Sequence, residues 1–344
     1  KSMKSLILKE PGQSPDIRVL DLPEPILTAD GIIIKVAAAG LCHHDISVMD
    51  GTLRRGTKPD VILGHEISGT VVDIGNEIRE FRLGDQVVTT LTSSCGECGT
   101  CLSGDDYMCE FGVGYGHGID GGFAEYILVR EKNLINVGDL DLVQSALLSC
   151  PIGVSIKALF DRGSLETDDS CVVFGTGGGL GIHALQVAQT CTSNVIGFTS
   201  SPSKLEEIGK YEVSPTFLLD ESIDSTDLVM ALTEDMGADV IFNSVGSKFL
   251  KSSVSSIRHG GRVLMMGELL GGNASLNTSD LLFKNGSIIG STGASKPHIQ
   301  TAVNMVKGGN VVPVIGGMYP LHDIQEAFHL MKDKASVGRL VLIP

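Results

Sequence analysis

The sequence predicts an α/β protein that combines a β-rich, barrel-like domain with a doubly wound parallel sheet. Up to about residue 150, short apolar runs are interrupted by polar residues and by Gly or Pro, which is typical of antiparallel β structure. These runs are Leu6 to Leu8, Ile32 to Val36, Ile67 to Ile74, Gln86 to Thr90 and Phe123 to Val129. From Ser170 onward, short buried runs alternate with helical spacing, which indicates parallel strands covered by helices. The predicted strands there are Cys171 to Phe174, Val195 to Phe198, Val240 to Phe242 and Arg262 to Met266.

The length of the chain indicates two domains, because 344 residues exceed what one hydrophobic core usually organises. Apolar residues make up 42% of the chain, which is enough to fill two cores. Near the end, residues 323 to 334 have helical spacing, and Arg339 to Ile343 has a strand pattern. No internal repeat or coiled-coil pattern is present.

The net charge of -15 argues against nucleic acid or an anionic membrane as a partner, because phosphate binding needs clustered Lys and Arg. An anionic ligand must therefore be held by a few local cations. No run of 18 apolar residues occurs, and Lys1 and Lys4 are not followed by a signal-peptide core. We therefore expect a cytoplasmic protein.

Four of the eight cysteines crowd into one segment, Cys95-Gly-Glu-Cys98-Gly-Thr-Cys101 followed by Cys109. Four thiolates at this spacing predict a tetrahedral zinc site with no open position, which stabilises a loop and performs no chemistry. Gly96 and Gly99 permit the tight turns that such wrapping needs. The alternative is a set of free buried cysteines.

A glycine-rich turn follows the first strand of the predicted parallel sheet. Ser170 to Phe174 leads into Gly175-Thr-Gly-Gly-Gly-Leu-Gly181, and an amphipathic helix is predicted from Ile182 to Gln189. Backbone amides at such a helix start hold the pyrophosphate of a dinucleotide. The predicted cofactor-binding glycines are Gly175, Gly177, Gly178, Gly179 and Gly181.

The end of the next strand favours NADP over NAD. Where an NAD site places Asp or Glu, this chain has Thr199. Hydroxyl groups and one cation follow, at Ser200, Ser201, Ser203 and Lys204. These groups can bind a 2′-phosphate, and no carboxylate is present to repel it. NAD stays possible, since no Arg is present to make a bidentate phosphate contact.

Cys, His and Glu residues in three further motifs are candidates for a catalytic metal site. Gly40-Leu-Cys42-His43-His44-Asp45 follows a predicted strand, Gly64-His65-Glu66 precedes another, and Cys150 lies just before the nucleotide-binding part. Each residue alone is weak evidence, because a lone Cys or His is more often part of a core.

Together these motifs resemble the zinc-containing medium-chain dehydrogenase/reductase family, the alcohol dehydrogenases and their relatives. The resemblance covers the whole chain. It also includes Val72 to Gly75, Leu83 to Val87, Asp120 to Tyr126, the four-cysteine lobe and Gly338-Arg339. It implies a GroES-like catalytic domain split in sequence by a Rossmann domain. The implied parts are residues 1–152 with a structural zinc lobe at 93–111, residues 153–291 binding NADP, and residues 292–344 returning to the catalytic domain.

The resemblance implies roles for individual residues. Cys42, His65 and Cys150 would bind the catalytic zinc, with Glu66 as a close or exchangeable ligand. Asp45 would accept a hydrogen bond from His65 and fix its tautomer. Two cations, His43 and Arg339, would contact the pyrophosphate. The zinc would polarise a carbonyl or lower the pKa of an alcohol while hydride passes to or from the nicotinamide.

Two positions depart from the family pattern. His44 occupies the position where alcohol dehydrogenases usually carry the Ser or Thr that relays the alcohol proton. An imidazole can transfer protons itself, so we expect His44 to take part in the proton step. Val154 stands where a Thr often meets the nicotinamide.

Three functions are consistent with these motifs. The favoured one is alcohol, aldehyde or ketone chemistry, because all the zinc-ligand positions are filled. The alternative is an NADPH-dependent reductase of an activated carbon-carbon double bond, such as an acryloyl-CoA or enoyl-CoA reductase, which the C-terminal half resembles. A third is a non-enzymatic NADPH-binding structural or sensor protein. We also expect a homodimer or homotetramer, with 288–293 as a candidate edge strand for subunit pairing.

Overall fold

The computed structural model describes residues 1–220, 222–268 and 271–344. The N-terminal part is built mainly of strands: β1 (Ser2–Glu10), β2 (Asp16–Pro23), β3 (Gly31–Leu41), β4 (Val61–Ile62), β5 (Glu66–Ile74), β6 (Gln86–Thr89), β7 (Thr92–Ser93), β8 (Val113–Gly114), β9 (Tyr126–Arg130) and β10 (Leu134–Asn136). Its short helices are α1 (His43–Met49), α2 (Gly99–Leu102) and α3 (Leu142–Ser145).

Strands and helices alternate in the next part. The strands are β11 (Cys171–Phe174), β12 (Val195–Thr199), β13 (Thr216–Leu218), β14 (Ala238–Asn243), β15 (Ile257–Met265) and β16 (Ser287–Gly290). The helices are α4 (Gly153–Ile156), α5 (Gly181–Gln189), α6 (Pro202–Ile208), α7 (Ser225–Leu232), α8 (Ser247–Ser256), α9 (Thr278–Phe283) and α10 (Lys296–Lys307). The chain then forms β17 (Ile315–Pro320), α11 (Ile324–Lys332) and β18 (Arg339–Ile343).

The six strands β11 to β16 form one parallel sheet in the order β13-β12-β11-β14-β15-β16. The strand order reverses at β11, since β12 lies on one side of it and β14 on the other. In such sheets, ligands bind beyond the carboxyl end of the strand at this switch point. The glycine-rich turn follows β11 directly and therefore lies at the expected ligand position.

The N-terminal strands form a three-stranded sheet, β2-β1-β4, and a seven-stranded sheet in the order β10-β6-β5-β3-β18-β17, with β9 also paired to β3. Strand β18 returns from the far end of the sequence and pairs antiparallel with β3, so that Leu340 lies opposite Leu41 and Val341 opposite Gly40. This pairing brings residue 339 beside the segment that leads into α1.

A single apolar cluster extends across both parts of the molecule. It contains Val88 and Val154 as well as Val173 and Leu185 of the parallel sheet and its first helix. Because this cluster joins the two parts, the predicted boundaries near 152 and 291 and the limits of the lobe at 93–111 stay predictions. Within the described residues, no helix has both the length and the apolar character needed to span a membrane.

Several predicted elements differ in extent or character from the observed ones. The run from Phe123 contains a strand only from Tyr126, because Phe123 instead exchanges backbone hydrogen bonds with Leu6 and Leu63. Helix α5 is not amphipathic: residues 181 to 188 are all buried. It lies between the parallel sheet and the turn that carries Cys150, so it has no solvent face.

Candidate active site

Four potential metal ligands from distant parts of the sequence meet at one point. Cys42 precedes the first turn of α1, His65 directly precedes β5, and Glu66 begins that strand. Cys150 lies on a π-helical turn, Leu148–Ile152. One ligand atom from each of the four residues lies within 4.8 Å of the others. Irregular helical turns of this kind are common at functional sites.

The imidazole of His65 is oriented by two carboxylates. Its Nδ1 lies 3.4 Å from Oδ1 of Asp45, and its Nε2 lies 3.8 Å from Oε1 of Glu66. Asp45 is fixed in turn, because its Oδ2 accepts a hydrogen bond of 2.8 Å from the Cys42 amide. Burial opposes charging of His65, but the neighbouring Asp45 carboxylate and Cys42 raise its pKa well above the usual value. Asp45 can thus hold the Nδ1–H tautomer and leave Nε2 facing the cluster.

A buried ion pair joins Glu66 to the C-terminal strand. Oε2 of Glu66 lies 3.1 Å from Nε of Arg339, and both side chains are buried. Burial raises the pKa of Glu66 to about 7, although the Arg339 charge acts in the opposite direction. A methyl group on Gly40 would lie 2.0 Å from Oε2 of Glu66, so only glycine fits opposite this carboxylate.

The residues present fit a zinc ion. The neighbouring Cys150 thiol is the largest cause that lowers the pKa of Cys42 well below its usual value, and Cys42 in turn raises the pKa of Cys150. Buried atoms of Asp45, His65 and Glu66 lack hydrogen-bond partners within the described part of the chain. Thiolate and imidazole donors are those that zinc prefers, and a bound cation would neutralise this acidic, buried set.

The four clustered cysteines form a second potential metal site. Their Sγ atoms lie within 4.8 Å of one another, with separations of 4.0 Å for Cys95 to Cys101, 3.8 Å for Cys98 to Cys109 and 3.6 Å for Cys109 to Cys95. Four sulfurs bound tetrahedrally at ~2.3 Å from a zinc ion lie roughly 3.8 Å apart. The hydroxyl of Thr100 and nearby backbone amides lower the pKa of Cys98 to about 6.

The predicted glycines form the turn between β11 and α5. Gly175 has a φ of +85°, which only glycine adopts readily. At Gly181, a methyl group would lie 2.1 Å from the carbonyl oxygen of Gly175. Gly178 forms a bridge with Gly338, and the guanidinium group of Arg339 packs against Gly179. The C-terminal Gly-Arg pair therefore contacts the turn that would hold a pyrophosphate.

The hydroxyl groups predicted to bind a 2′-phosphate are only partly free. Thr199 is buried, and its Oγ1 accepts from the Ser201 amide at 3.3 Å. The Ser201 hydroxyl caps α6, whereas Ser200 and Ser203 are exposed. Lys204 folds back over the glycine turn, with its Nζ 3.3 Å from the Gly177 carbonyl oxygen. Burial, with a smaller contribution from Lys334, lowers the pKa of Lys204 to about 8.

The sequence analysis missed two residues, one near the glycine turn and one near the metal cluster. Lys334 has a φ of +52° in the loop after α11, and its charge adds to the burial that lowers the pKa of Lys204. Burial is also the main cause that lowers the pKa of His43 on α1, with smaller contributions from the charges of Arg339 and Lys334. The position of Lys334 five residues before Arg339 is the only signal that could have indicated it. The other missed residue is His117, whose ring centre lies 5.8 Å from that of His44.

The histidines form a short edge-to-face series that starts at the metal cluster. The His44 ring centre lies 4.9 Å from that of His65, with an interplanar angle of 79°. Burial, and then the His65 charge, lower the pKa of His44. His117 lies beyond His44, and its Nε2 is 3.0 Å from the Leu53 carbonyl oxygen. Val154 is buried in α4, directly after the turn that carries Cys150.

Two family models match the chain. Residues 28–139 match the alcohol dehydrogenase GroES-like domain, and residues 179–333 match the zinc-binding dehydrogenase domain. Similar curated proteins include two acryloyl-coenzyme A reductases. The protein from Metallosphaera sedula is 30% identical over 99% of both chains. The protein from Sulfurisphaera tokodaii is 29% identical over 99% of this chain and 100% of its own. A cobalt- and zinc-bound thermostable alcohol dehydrogenase from Pyrobaculum aerophilum is 25% identical, with a TM-score of 0.88 over 100% of both chains.

These matches confirm the predicted fold class, a GroES-like domain combined with a Rossmann-type parallel sheet. They also decide between an enzyme and the non-enzymatic binding protein considered above, in favour of the enzyme. The chain belongs to the zinc-containing medium-chain dehydrogenase/reductase family and is an NAD(P)-dependent oxidoreductase of the alcohol dehydrogenase type.

Proposed function

We propose that this enzyme is zinc-dependent, prefers NADP(H), and transfers a hydride between the nicotinamide and an alcohol, aldehyde or ketone. The observation that carries the proposal is the meeting of Cys42, His65 and Cys150 within 4.8 Å, with Glu66 beside them. A reductase of an activated double bond does not need a metal at the hydride site. A complete set of ligands is therefore better explained by carbonyl chemistry.

The residues of the chain have separate tasks in this mechanism. Cys42, His65 and Cys150 would hold a zinc ion, which as a Lewis acid polarises a carbonyl oxygen. Asp45 keeps the His65 imidazole in one tautomer and orientation. Glu66 lies in the same cluster and pairs with Arg339 at 3.1 Å, so it would be a close or exchangeable ligand. The four cysteines from Cys95 to Cys109 would bind the second zinc of the chain.

The cofactor would bind across the glycine turn, with NADP(H) preferred and NAD possible. Arg339 supplies a cation near the pyrophosphate, the turn supplies backbone amides, and His43 would supply an imidazole N–H, because burial lowers its pKa. At the ribose end, Lys204 supplies a cation, Lys334 lies near enough to add its charge, and Thr199 stands where a carboxylate would repel a 2′-phosphate.

His44 is proposed to carry the proton that a reduced carbonyl requires. It lies beside His65, and a neutral imidazole has one donor and one acceptor nitrogen, so it can take up a proton on one side and release one on the other. The alternative is that His44 only packs against the metal cluster or contacts cofactor phosphate.

A second candidate function is reduction of the double bond of an enoyl-CoA thioester. Two acryloyl-CoA reductases are 29% and 30% identical to this chain over nearly its full length. The absence of a hydroxyl at position 44 is consistent with this function too, because no alcohol proton has to be relayed.

One experiment distinguishes the two functions. NADPH oxidation is measured with a panel of aldehydes, ketones and enoyl-CoA thioesters, and the zinc content is determined on the same sample. Carbonyl reduction that disappears in Cys42→Ser supports the first function. Enoyl-CoA reduction that survives the loss of zinc supports the second and contradicts the first.

The assembly and the compartment are part of the proposal. Strand β16 is the edge of the parallel sheet and ends at Gly290, so the expected pairing segment at 288–293 contains only three strand residues. The neighbouring Leu282 and Phe283 of α9 are exposed at 69% and 77%. Pairing of two β16 strands would cover them and give a homodimer, on which a homotetramer could build. None of the eight cysteines, all of which the structure describes, is in a disulfide, which is consistent with a reducing cytoplasm.

A further inference from the structure

Two unpaired arginines lie on a turn close to the metal cluster. Residues 51–58 follow α1 and carry Arg54, Arg55 and Lys58 in a chain whose net charge is -15. Lys58 forms an ion pair with Asp120. Both arginines are exposed, and the described residues offer neither of them a carboxylate partner within 4.0 Å. Two adjacent exposed guanidinium groups without ion-pair partners are therefore available to an anionic ligand.

The backbone of this turn is fixed by its own hydrogen bonds. The Leu53 amide donates to the Ser47 carbonyl at 2.9 Å, and the Thr57 amide donates to the Arg54 carbonyl at 3.3 Å. The Thr57 hydroxyl donates to the Leu53 carbonyl at 2.7 Å. A fixed backbone lowers the conformational entropy that the two side chains lose when they bind a ligand.

The turn is joined to the catalytic centre by two routes. The first route runs through three histidine rings: the Leu53 carbonyl contacts His117, His117 packs against His44, and His44 packs against His65. Through the backbone, α1 runs from the Cys42 end of the cluster to the turn. Its seven residues span about 10 Å. The guanidinium group of Arg54 lies along the far end of this helix, where a methyl group on Gly51 would be 3.1 Å from Nη2.

We infer that Arg54 and Arg55 bind a phosphate group of the substrate, so that the enzyme acts on phosphate-bearing compounds. This inference rests on the proposed function, since it assumes that hydride is transferred at the cluster of Cys42, His65 and Cys150. Planar guanidinium groups bind phosphate oxygens in pairs, which lysine cannot do. Because the turn is one helix length from the cluster, the phosphate is several bonds away from the reacting carbon. A phosphorylated polyol or a nucleotide-bearing thioester satisfies this spacing.

Arg54 has a competing structural role. The C-terminal end of α1 carries partial negative charge, and a cation there stabilises the helix. Arg55 is exposed and forms no hydrogen bond or ion pair among the described residues, so Arg55→Gln removes a charge without breaking such an interaction. Arg82 provides a matched control, because it is also exposed and lies in the turn that leads to β6.

The test compares substrates that differ only in the phosphate, at saturating NADPH. The two pairs are glyceraldehyde 3-phosphate with glyceraldehyde, and crotonyl-4′-phosphopantetheine with crotonyl-pantetheine. We expect the wild-type ratio of kcat/KM within one pair to favour the phosphate-bearing member. Arg55→Gln should lower this ratio about 10-fold, as the loss of one charge-assisted hydrogen bond implies. Arg82→Gln should leave it unchanged. The pair that shows the effect identifies the source of the phosphate.

Titration calorimetry gives a second readout that needs no turnover, the Kd of the phosphate-bearing compound for the NADP-saturated enzyme. Arg55→Gln should raise this Kd about 10-fold. Equal ratios in wild type, Arg55→Gln and Arg82→Gln would overturn the inference, while activity on glyceraldehyde would leave the proposed function intact. Binding of the phosphate compounds without turnover of any of the four would support the phosphate site and contradict the proposed function.

Discussion

The cofactor preference of this enzyme should depend on pH through Lys204. Burial lowers the pKa of this lysine to about 8, with Lys334 as a smaller cause, so in the free enzyme it loses its proton as the pH rises through that value. A bound 2′-phosphate, with a second pKa of ~6, is a dianion throughout this range and favours the charged ammonium. NADPH binding therefore takes up a proton above about pH 8.

The affinity for NADPH should accordingly be full below about pH 8 and fall above it. At pH 9 roughly one molecule in ten of the free enzyme has Lys204 charged, so the Kd for NADPH should be about tenfold weaker than at pH 7. NADH lacks the phosphate, and its Kd should not show this loss. Lys204→Ala should weaken NADPH selectively, by the ~1.5 to 3 kcal/mol of a hydrogen bond to a charged group, and abolish the pH effect.

The assay is titration of nicotinamide fluorescence with NADPH and NADH at pH 7, 8 and 9, on wild type and Lys204→Ala. Parallel losses for both cofactors would place the titrating group elsewhere than at the 2′-phosphate. A higher kcat/KM with NADH than with NADPH in the wild type would refute the preference for NADP altogether.

Three further predictions concern the metal sites, the proton step and the glycine turn. Purified protein should contain two zinc ions per chain, which metal analysis can check. Calorimetry should show a lower unfolding temperature for Cys98→Ser, whereas Cys42→Ser should fold but lose activity. His44→Ala should lower kcat at least ~10²-fold with zinc retained, whereas a raised cofactor KM with an unchanged pH profile of kcat would remove His44 from the mechanism. Gly181→Ala should weaken cofactor binding at least tenfold (~1.4 kcal/mol), because its methyl group would lie 2.1 Å from the Gly175 carbonyl oxygen. Gly178→Ala should have little effect, because its methyl group would lie 3.4 Å from the same oxygen, an ordinary contact distance.

Features encoded by local spacing could be predicted from the sequence. The four cysteines from Cys95 to Cys109 come together because short Gly-containing segments join them, and strand β11 follows from its apolar run. The glycine turn follows from the strand before it and the helix after it. In each case the residues that interact are close along the chain, so a pattern in the sequence carries the information.

Features that depend on tertiary packing could not be predicted in this way. Helix α5 has the spacing of a surface helix but is buried because the turn at Cys150 covers its outer side. The contact of His117 with His44 joins a loop to α1, and the effect of Lys334 on Lys204 joins the loop after α11 to α6. The spacing of residues in the sequence does not indicate such contacts, because each depends on how separate helices, strands and loops pack.

The pairing of β18 with β3 has a consequence for how the enzyme matures during synthesis. Helices and strands from β11 to β16 can form as soon as they leave the ribosome, since their partners are all within the same stretch of chain. The ion pair between Arg339 and Glu66, and the contact of Arg339 with the glycine turn, cannot form until β18 emerges. We therefore expect a nascent chain to form the parallel sheet before it can orient a cofactor against the proposed zinc ligands, and to stay inactive until translation has passed that strand.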